Sequence, residues 1–200
     1  MNPRILVETA LQNAHKEPDE GGTPSLVHRN RSKHFVEALA SRFREYYRDK
    51  DTVRVLSRHC DLHREEFGLN ELLFDVLVCE TSLVQSARES ASLRFVTRAL
   101  WAVESEFARD TRQAIFDFNK LVLSSAEAKL FVGPIVPDEN AFLERLLAPA
   151  SRCSGEVFVA LVPHPSDWPP TDASAHVYRL QASEWEALRP SASDAGSQHP

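Results

Sequence analysis

Short apolar segments alternate with amphipathic ones along most of this 200-residue chain, and this alternation constrains the fold more than any other feature. Apolar residues at every second position predict strands, and those that recur every three to four residues predict helices. From residue 34 onward the order is helix, strand, strand, strand, helix, strand, helix, strand. Elements in such an order pack as a sheet covered by helices. The sequence therefore predicts an α/β protein with a mixed central sheet flanked by helices.

Three regions of the chain differ in composition. Residues 1–33 predict an N-terminal helix followed by a flexible connector over 15–33, which contains a Gly-Gly pair, prolines and many charges. Residues 34–168 hold the predicted core. Residues 169–200 are rich in Pro, Ser and Ala and predict a partly disordered extension, ordered over 176–188. The core elements are expected at 34–50 (helix), 52–57, 67–80 and 94–107 (strands), 110–124 (helix), 128–136 (strand), 138–148 (helix) and 155–163 (strand).

Several classes of protein are excluded by what the sequence lacks. Its apolar runs are far shorter than the roughly 18 residues that a membrane helix needs, so no membrane contact is expected. The first residues do not follow the pattern of a secretory signal. Three widely spaced cysteines, an odd number, favour reduced thiols and a cytoplasmic location. Neither a Gly-rich phosphate loop nor a GxSxG nucleophile elbow occurs in the sequence.

Charge is distributed unevenly along the chain, whose net charge is -6. Residues 28–64 carry ten Arg and Lys against five Asp and Glu, a net of +5. We expect this segment to form a basic face that holds a phosphate backbone, with Arg42, Arg44 and Arg48 as candidate nucleic-acid contacts. The alternative is that these residues are the solvated face of an exposed helix.

Three acidic residues are placed where two strands bring them together. Asp75 is expected in the middle of one apolar strand, and Glu104 and Glu106 close the next. If these strands pair, the three carboxylates meet at one edge of the sheet. Converging carboxylates repel each other unless a cation lies between them, and oxygen ligands suit Mg²⁺ or Mn²⁺. Such an ion polarises a phosphoryl oxygen and activates water, so the pattern predicts phosphodiester hydrolysis.

The order helix–strand–strand–strand–helix–strand, with Asp on the second strand and Glu-x-Glu closing the third, resembles the PD-(D/E)XK nuclease superfamily. The resemblance covers about residues 34–136 and rests on FDVLV, WAVESEF, DFNKL and KLFVG. It implies a restriction-endonuclease-like core in which Asp75 and Glu104 are metal ligands. It also implies that Glu106 stands where most members have a catalytic Lys, a departure that a minority of restriction enzymes share.

The helix that follows Glu106 offers a substitute for that lysine, because in other members a functional residue moves onto this helix. Lys120 lies about ten residues into it, roughly 15 Å along its axis, so the helix must return antiparallel to the strand to bring Lys120 near Glu104. Gln113 is nearer but chemically weaker. The alternative for Lys120 is a simple i,i+3 ion pair with Asp117.

Together these features predict a Mg²⁺-dependent endonuclease that acts on DNA. Two alternatives stay open at this point. One is a catalytically silent module of the same fold that binds a protein partner, and the other is a nucleic-acid binder that does not cleave. Whether the chain forms a homodimer is also left open by the sequence.

Overall fold

The computed structural model describes residues 1–17, 22–86, 91–168 and 174–189. Seven strands form one sheet in the order β1-β2-β3-β4-β5-β6-β7. The helices are α1 (Pro3–Lys16), α2 (Pro24–Tyr46), α3 (Arg64–Phe67), α4 (Thr111–Val122) and α5 (Glu139–Ala150). The strands are β1 (Val53–Ser57), β2 (Val76–Ser86), β3 (Ala91–Ser105), β4 (Ala128–Pro134), β5 (Glu156–Val162), β6 (His176–Gln181) and β7 (Glu184–Ala187).

The sheet is mixed. Strands β1, β2 and β3 are antiparallel neighbours, β3, β4 and β5 run parallel, and β6 and β7 add two antiparallel strands. Helices α4 and α5 connect the parallel strands, as parallel pairing requires a crossover. The predicted α/β class, with a mixed sheet flanked by helices, is confirmed.

Alternate residues of the strands bury themselves under two different helical layers. In β2, Val76 and Val78 pack in a core with α1 and α2, whereas Leu77 and Cys79 pack in a core with α4 and α5. This is the period-2 alternation expected of a strand covered on both faces. Consequently, a side chain's position in a strand decides which helical layer it meets.

The first helices belong to the core, and here the structure differs from the sequence prediction. Helix α2 begins at Pro24, so most of the expected connector over 15–33 is helical. The Thr23 side chain caps α2 by accepting from the Leu26 N–H, with proline in the first turn. Five buried residues of α1 (Leu6, Val7, Ala10, Leu11 and Ala14) join the core beneath α2. The charged side chains of residues 24–33 therefore belong to a helix and not to a flexible connector.

The second strand begins later than expected and extends further. The apolar stretch 67–75 lies outside β2, because α3 ends at Gly68 and Leu73 has a left-handed backbone with φ 69°. Asp75 thus precedes β2 and does not lie in the middle of a strand. At its other end β2 continues with β3 as a two-stranded arm, since β1 pairs with β2 as far as Glu80 and β4 pairs with β3 from Trp101.

The C-terminal segment expected to be ordered forms β6 and β7. Ala182 and Ser183 join them with φ values of 47° and 66°, the backbone of a type I′ hairpin turn. Residues 169–173 and 190–200, for which disorder was expected in part, lie outside the described residues. Within the described ranges, every helix is too short or too polar to cross a bilayer. The three cysteines are free thiols.

Candidate active site

The end of β3 and the start of β2 bring the predicted acids together at one edge of the sheet. Val76 is paired with Val103, so Asp75 comes opposite Glu104. Ser105 links the two strands, because its backbone N–H and its hydroxyl donate to Asp75 Oδ2 at 2.9 and 2.6 Å. The expectation that the Asp75 and Glu104 segments are neighbours in one sheet is therefore confirmed.

Glu104 is the most deeply buried acid at this edge. It is 1% exposed and lies on the face of the sheet that α4 covers. Its Oε2 accepts a hydrogen bond from Lys120 Nζ at 2.9 Å. Its Oε1 is buried without a hydrogen-bond partner among the described residues. An unsatisfied buried carboxylate oxygen is costly, so it is the kind of atom that a bound cation or a proton satisfies.

Lys120 reaches the site because α4 runs back antiparallel to the parallel strands β3 and β4. Asp110 starts this helix by accepting from the Arg112 N–H at 2.9 Å. Lys120 Nζ lies 2.9 Å from both Glu104 Oε2 and Asp117 Oδ1. The approach to Glu104 and the i,i+3 pair, which the sequence left as alternatives, are thus both present. Gln113 is exposed in the first turn.

Glu106 continues the edge beyond the end of β3. Its backbone N–H donates to the Val132 carbonyl at 2.9 Å, and its Oε1 accepts from the Ala108 N–H at 2.5 Å. Burial raises the pKa of Glu106, and neighbouring Asp117 raises it further. Asp117 is thus a fourth acid of the cluster. From the sequence alone, Asp117 was expected only to pair with Lys120, at the i,i+3 spacing that places the two side by side.

Burial and neighbouring charges shift the pKa values of this cluster. Burial raises the pKa of Glu104 to about 8, with the charge of Asp75 acting in the same direction against Lys120. Burial contributes more to this rise than the repulsion from Asp75 does. Partial burial acts to lower the pKa of Lys120, yet its bonds to Glu104 and Asp117 hold it above the ordinary value.

The residues present fit a hard divalent cation in their chemistry. Mg²⁺ is often held by one or two carboxylates and keeps several waters. Asp75, directly before β2, and Glu104, on neighbouring β3, supply two such groups. Glu104 Oε1 still lacks a partner among the described residues. A ready-made cluster of three or more His, Cys, Asp or Glu ligands is not found in the part of the chain that the structure describes. Ligation here would therefore rest on two acids and solvent.

A cleft of about 690 Å³ adjoins the acids on the side of α2. Asp75, Ser105 and Glu106 form one wall. The opposite wall comes from the first half of α2 and from the turn after β1. It carries the basic residues His28, Arg29, Lys33, Arg58 and His59. Arg29, Lys33 and Arg58 were not among the contacts expected from the sequence.

The structure places Arg42, Arg44 and Arg48 away from this cleft. Arg42 and Arg48 line a separate pocket beside Met1, toward the other end of α2. Arg44 donates to Ser57 Oγ at 3.0 Å. The expected contacts Arg42, Arg44 and Arg48 therefore do not lie beside the acids, and other basic residues of the 28–64 segment line the cleft instead. The difference is one of position along α2, because Arg29 and Lys33 lie in its first half, whereas Arg42 and Arg44 lie near its C-terminal end and Arg48 follows it. About eleven residues of helix, roughly 16 Å, separate Lys33 from Arg44.

Comparison of the chain with protein-family models, with curated proteins and with solved structures finds no match.

Proposed function

We propose that this chain is a metal-dependent nuclease that hydrolyses phosphodiester bonds of DNA. The observation that carries the proposal is Glu104, a carboxylate 1% exposed with one oxygen unpartnered among the described residues. Asp75 stands opposite it, and Lys120 Nζ lies 2.9 Å away. Burying several carboxylates together is unfavourable unless a bound cation compensates their negative charge.

The order of elements supports the same proposal. Helix α2, strands β1, β2 and β3, helix α4 and strand β4 follow one another as in the PD-(D/E)XK resemblance, with short α3 inserted after β1. A restriction-endonuclease-like core is therefore part of the proposal. A cytoplasmic location also belongs to it, in keeping with free thiols at Cys60, Cys79 and Cys153.

Asp75 and Glu104 would hold Mg²⁺ or Mn²⁺. A metal ion bound there would polarise a phosphoryl oxygen and lower the pKa of a bound water. Ser105 keeps Asp75 in place through two hydrogen bonds to Oδ2. Ser105 thus positions Asp75, and strand β3 itself positions Glu104.

Lys120 acts in this proposal as a fixed positive charge. Because its pKa lies above the ordinary value, it stays an ammonium at neutral pH and does not take a proton from water. It orients the Glu104 carboxylate and stabilises negative charge on the phosphate in the transition state. Glu106, on the wall of the cleft with a raised pKa, is the group that accepts the proton of the attacking water.

A cleavage assay tests the proposal. Plasmid, linear duplex and single-stranded DNA are incubated with the full chain in Mg²⁺, in Mn²⁺ and in EDTA. We expect cleavage with either metal and none in EDTA. Glu104→Gln and Asp75→Asn should abolish it, whereas Asp49→Asn, which removes an exposed acid next to Arg48, should not. Failure of the wild type to cut with either metal, or cutting by Glu104→Gln, would refute the nuclease.

The alternative of a silent module that binds a protein partner or a second copy has one observation in its favour. The arm of β2 and β3 exposes several large apolar side chains, namely Leu83, Val84, Leu93 and Phe95. Exposed apolar clusters on an unpaired hairpin are typical of association surfaces. If the cleavage assay fails, partner binding through this arm becomes the preferred function.

A further inference from the structure

The basic wall of the cleft is the feature that the proposed chemistry leaves unused. Arg29 and Lys33 are exposed and stand one turn apart on α2, and Arg58 directly follows the end of β1. All three line the same cleft as Asp75 and Glu106. Cations and acids thus face each other across a space of about 690 Å³.

We propose that this cleft holds one strand of a nucleic acid through its phosphates, with Arg29, Lys33 and Arg58 as the phosphate contacts. The inference rests on the proposed function, because it places the bound strand beside Asp75 and Glu106. It names single-stranded nucleic acid, or a strand end, as the substrate class.

Phosphate is the ligand that this charge pattern favours. Partial burial lowers the pKa of His59, and the charges of Lys33 and Arg58 act in the same direction against those of Glu37 and Asp75. His59 therefore lies among both the cations and the acids of this region. Arg58 Nε lies 3.5 Å from Oε2 of the partly exposed Glu71. A surface ion pair of this kind contributes little free energy, so little is lost when a phosphate takes the place of Glu71 beside Arg58. An anion that enters the cleft on this side is attracted by Arg29, Lys33 and Arg58.

The size and lining of the cleft favour one strand over two. Its volume lies in the range typical of clefts for small ligands, about 300–1,000 Å³, which accommodates a short piece of one strand. A duplex usually spreads its contacts over about 1,000–2,500 Å² of protein surface. The His28 and His59 rings also line the cleft. Flat rings of this kind stack on the unpaired bases of a single strand.

Fluorescence anisotropy of a labelled oligonucleotide, single-stranded or annealed to its complement, tests the inference. Binding is measured in EDTA, where no metal-dependent cleavage takes place. We expect the wild type to bind the single strand about tenfold tighter than the duplex. Arg29→Gln/Lys33→Gln should weaken that binding about tenfold and reduce its salt slope by about 1.4, at roughly 0.7 per phosphate contact.

The matched control is Arg42→Gln/Arg48→Gln, which removes the same charge from the opposite end of the α2 region. It should keep both the affinity and the salt slope. Arg58→Gln, on a different element, gives an independent variant if the α2 double substitution fails to fold, as judged by its thermal unfolding. Three results would each overturn the inference. They are an equal loss of affinity in the two double variants, duplex binding as tight as single-strand binding, and no binding by the wild type. Selective binding without any cleavage in Mg²⁺ would refute the nuclease and leave the cleft as a nucleic-acid site.

Discussion

Glu104 combines two conditions that rarely coexist in a side chain without a role. It is buried at 1% exposure, and its Oε1 has no hydrogen-bond partner among the described residues. In the absence of metal, the group relieves its burial by keeping a proton, which is why its pKa rises to about 8. A buried carboxylate of this kind lowers the stability of the metal-free fold but supplies a ligand for a cation.

Replacement of that carboxylate should therefore stabilise the metal-free protein. The folded chain holds the Glu104 proton up to about pH 8, while the unfolded chain releases it near 4.5. The unfolded state is thus favoured increasingly as pH rises from 4.5 to 8, and the loss is complete above that range. We expect Glu104→Gln to exceed the wild type in free energy of unfolding by an amount that grows over this window. Urea unfolding in EDTA at several pH values measures it, with Asp49→Asn as the control. A variant less stable than the wild type at pH 8 would contradict this account.

Lys120 provides the second test at this scale. Removal of its ammonium by Lys120→Ala should lower the rate of DNA cleavage by about 10²–10³, the usual effect of losing one preorganised donor. Arg112→Ala removes an exposed cation from the same helix and should leave the rate nearly unchanged. If both variants cut equally well, Lys120 serves only the ion pair with Asp117.

How far single residues could be predicted depended on their position relative to strand ends. Glu104 and Glu106 were identifiable because they close an apolar strand, and Asp75 because it interrupts an apolar run, although it precedes β2 and does not lie within a strand. Asp117 was not recognised as part of the acid cluster, because its approach to Glu106 depends on how α4 crosses the sheet. That crossing is a tertiary property and has no local signal.

At the scale of elements, the two N-terminal helices carry the clearest consequence for stability. Leu11 is fully buried beneath α2, whereas Ile5 on the same helix is 40% exposed. Leu11→Ala should cost about 2–5 kcal/mol of unfolding free energy, and Ile5→Ala should cost about 0.5 kcal/mol. Urea denaturation of the two variants makes the comparison. Equal, small effects would show that α1 is not part of the core.

Two glycines give a matched test of the turns that align the sheet. Gly155, before β5, and Gly68, at the end of α3, both have φ near +73°. A Cβ at Gly155 would lie 2.2 Å from the Glu127 carbonyl oxygen, but at Gly68 nothing lies within 4 Å. Gly68→Ala should thus cost about 1 kcal/mol, the conformational penalty alone. Gly155→Ala should cost clearly more in thermal unfolding, and equal shifts would contradict the tight packing of that turn.

The order and type of elements from β1 to β5 could be predicted because both helix and strand periodicities are strong there. The exceptions have physical causes. Residues 24–33 form helix although they are polar and charged, because Thr23 caps them and α2 continues into buried Phe35 and Leu39. The apolar stretch before Asp75 is not a strand, because Leu73 turns the backbone to a left-handed φ.

For the whole molecule, the mixed sheet explains why acids and cations from distant parts of the sequence share one edge. The carboxyl ends of β1, β3 and β4 and the start of β2 all lie there. Acid placement followed from strand order alone. The identity of the cations did not, since Arg29 and Lys33 reach the cleft from the first half of α2, and charge counting over 28–64 does not tell which part of that helix lies beside the acids.

The central claim is that Asp75 and Glu104 together bind one divalent cation, and isothermal titration with Mn²⁺ tests it most directly. The wild-type chain should bind a single Mn²⁺ with release of a proton, because the Glu104 carboxyl must ionise on binding. Asp75→Asn should lose this binding, while Asp49→Asn retains it. Equal Mn²⁺ binding by the wild type and Asp75→Asn would contradict the account.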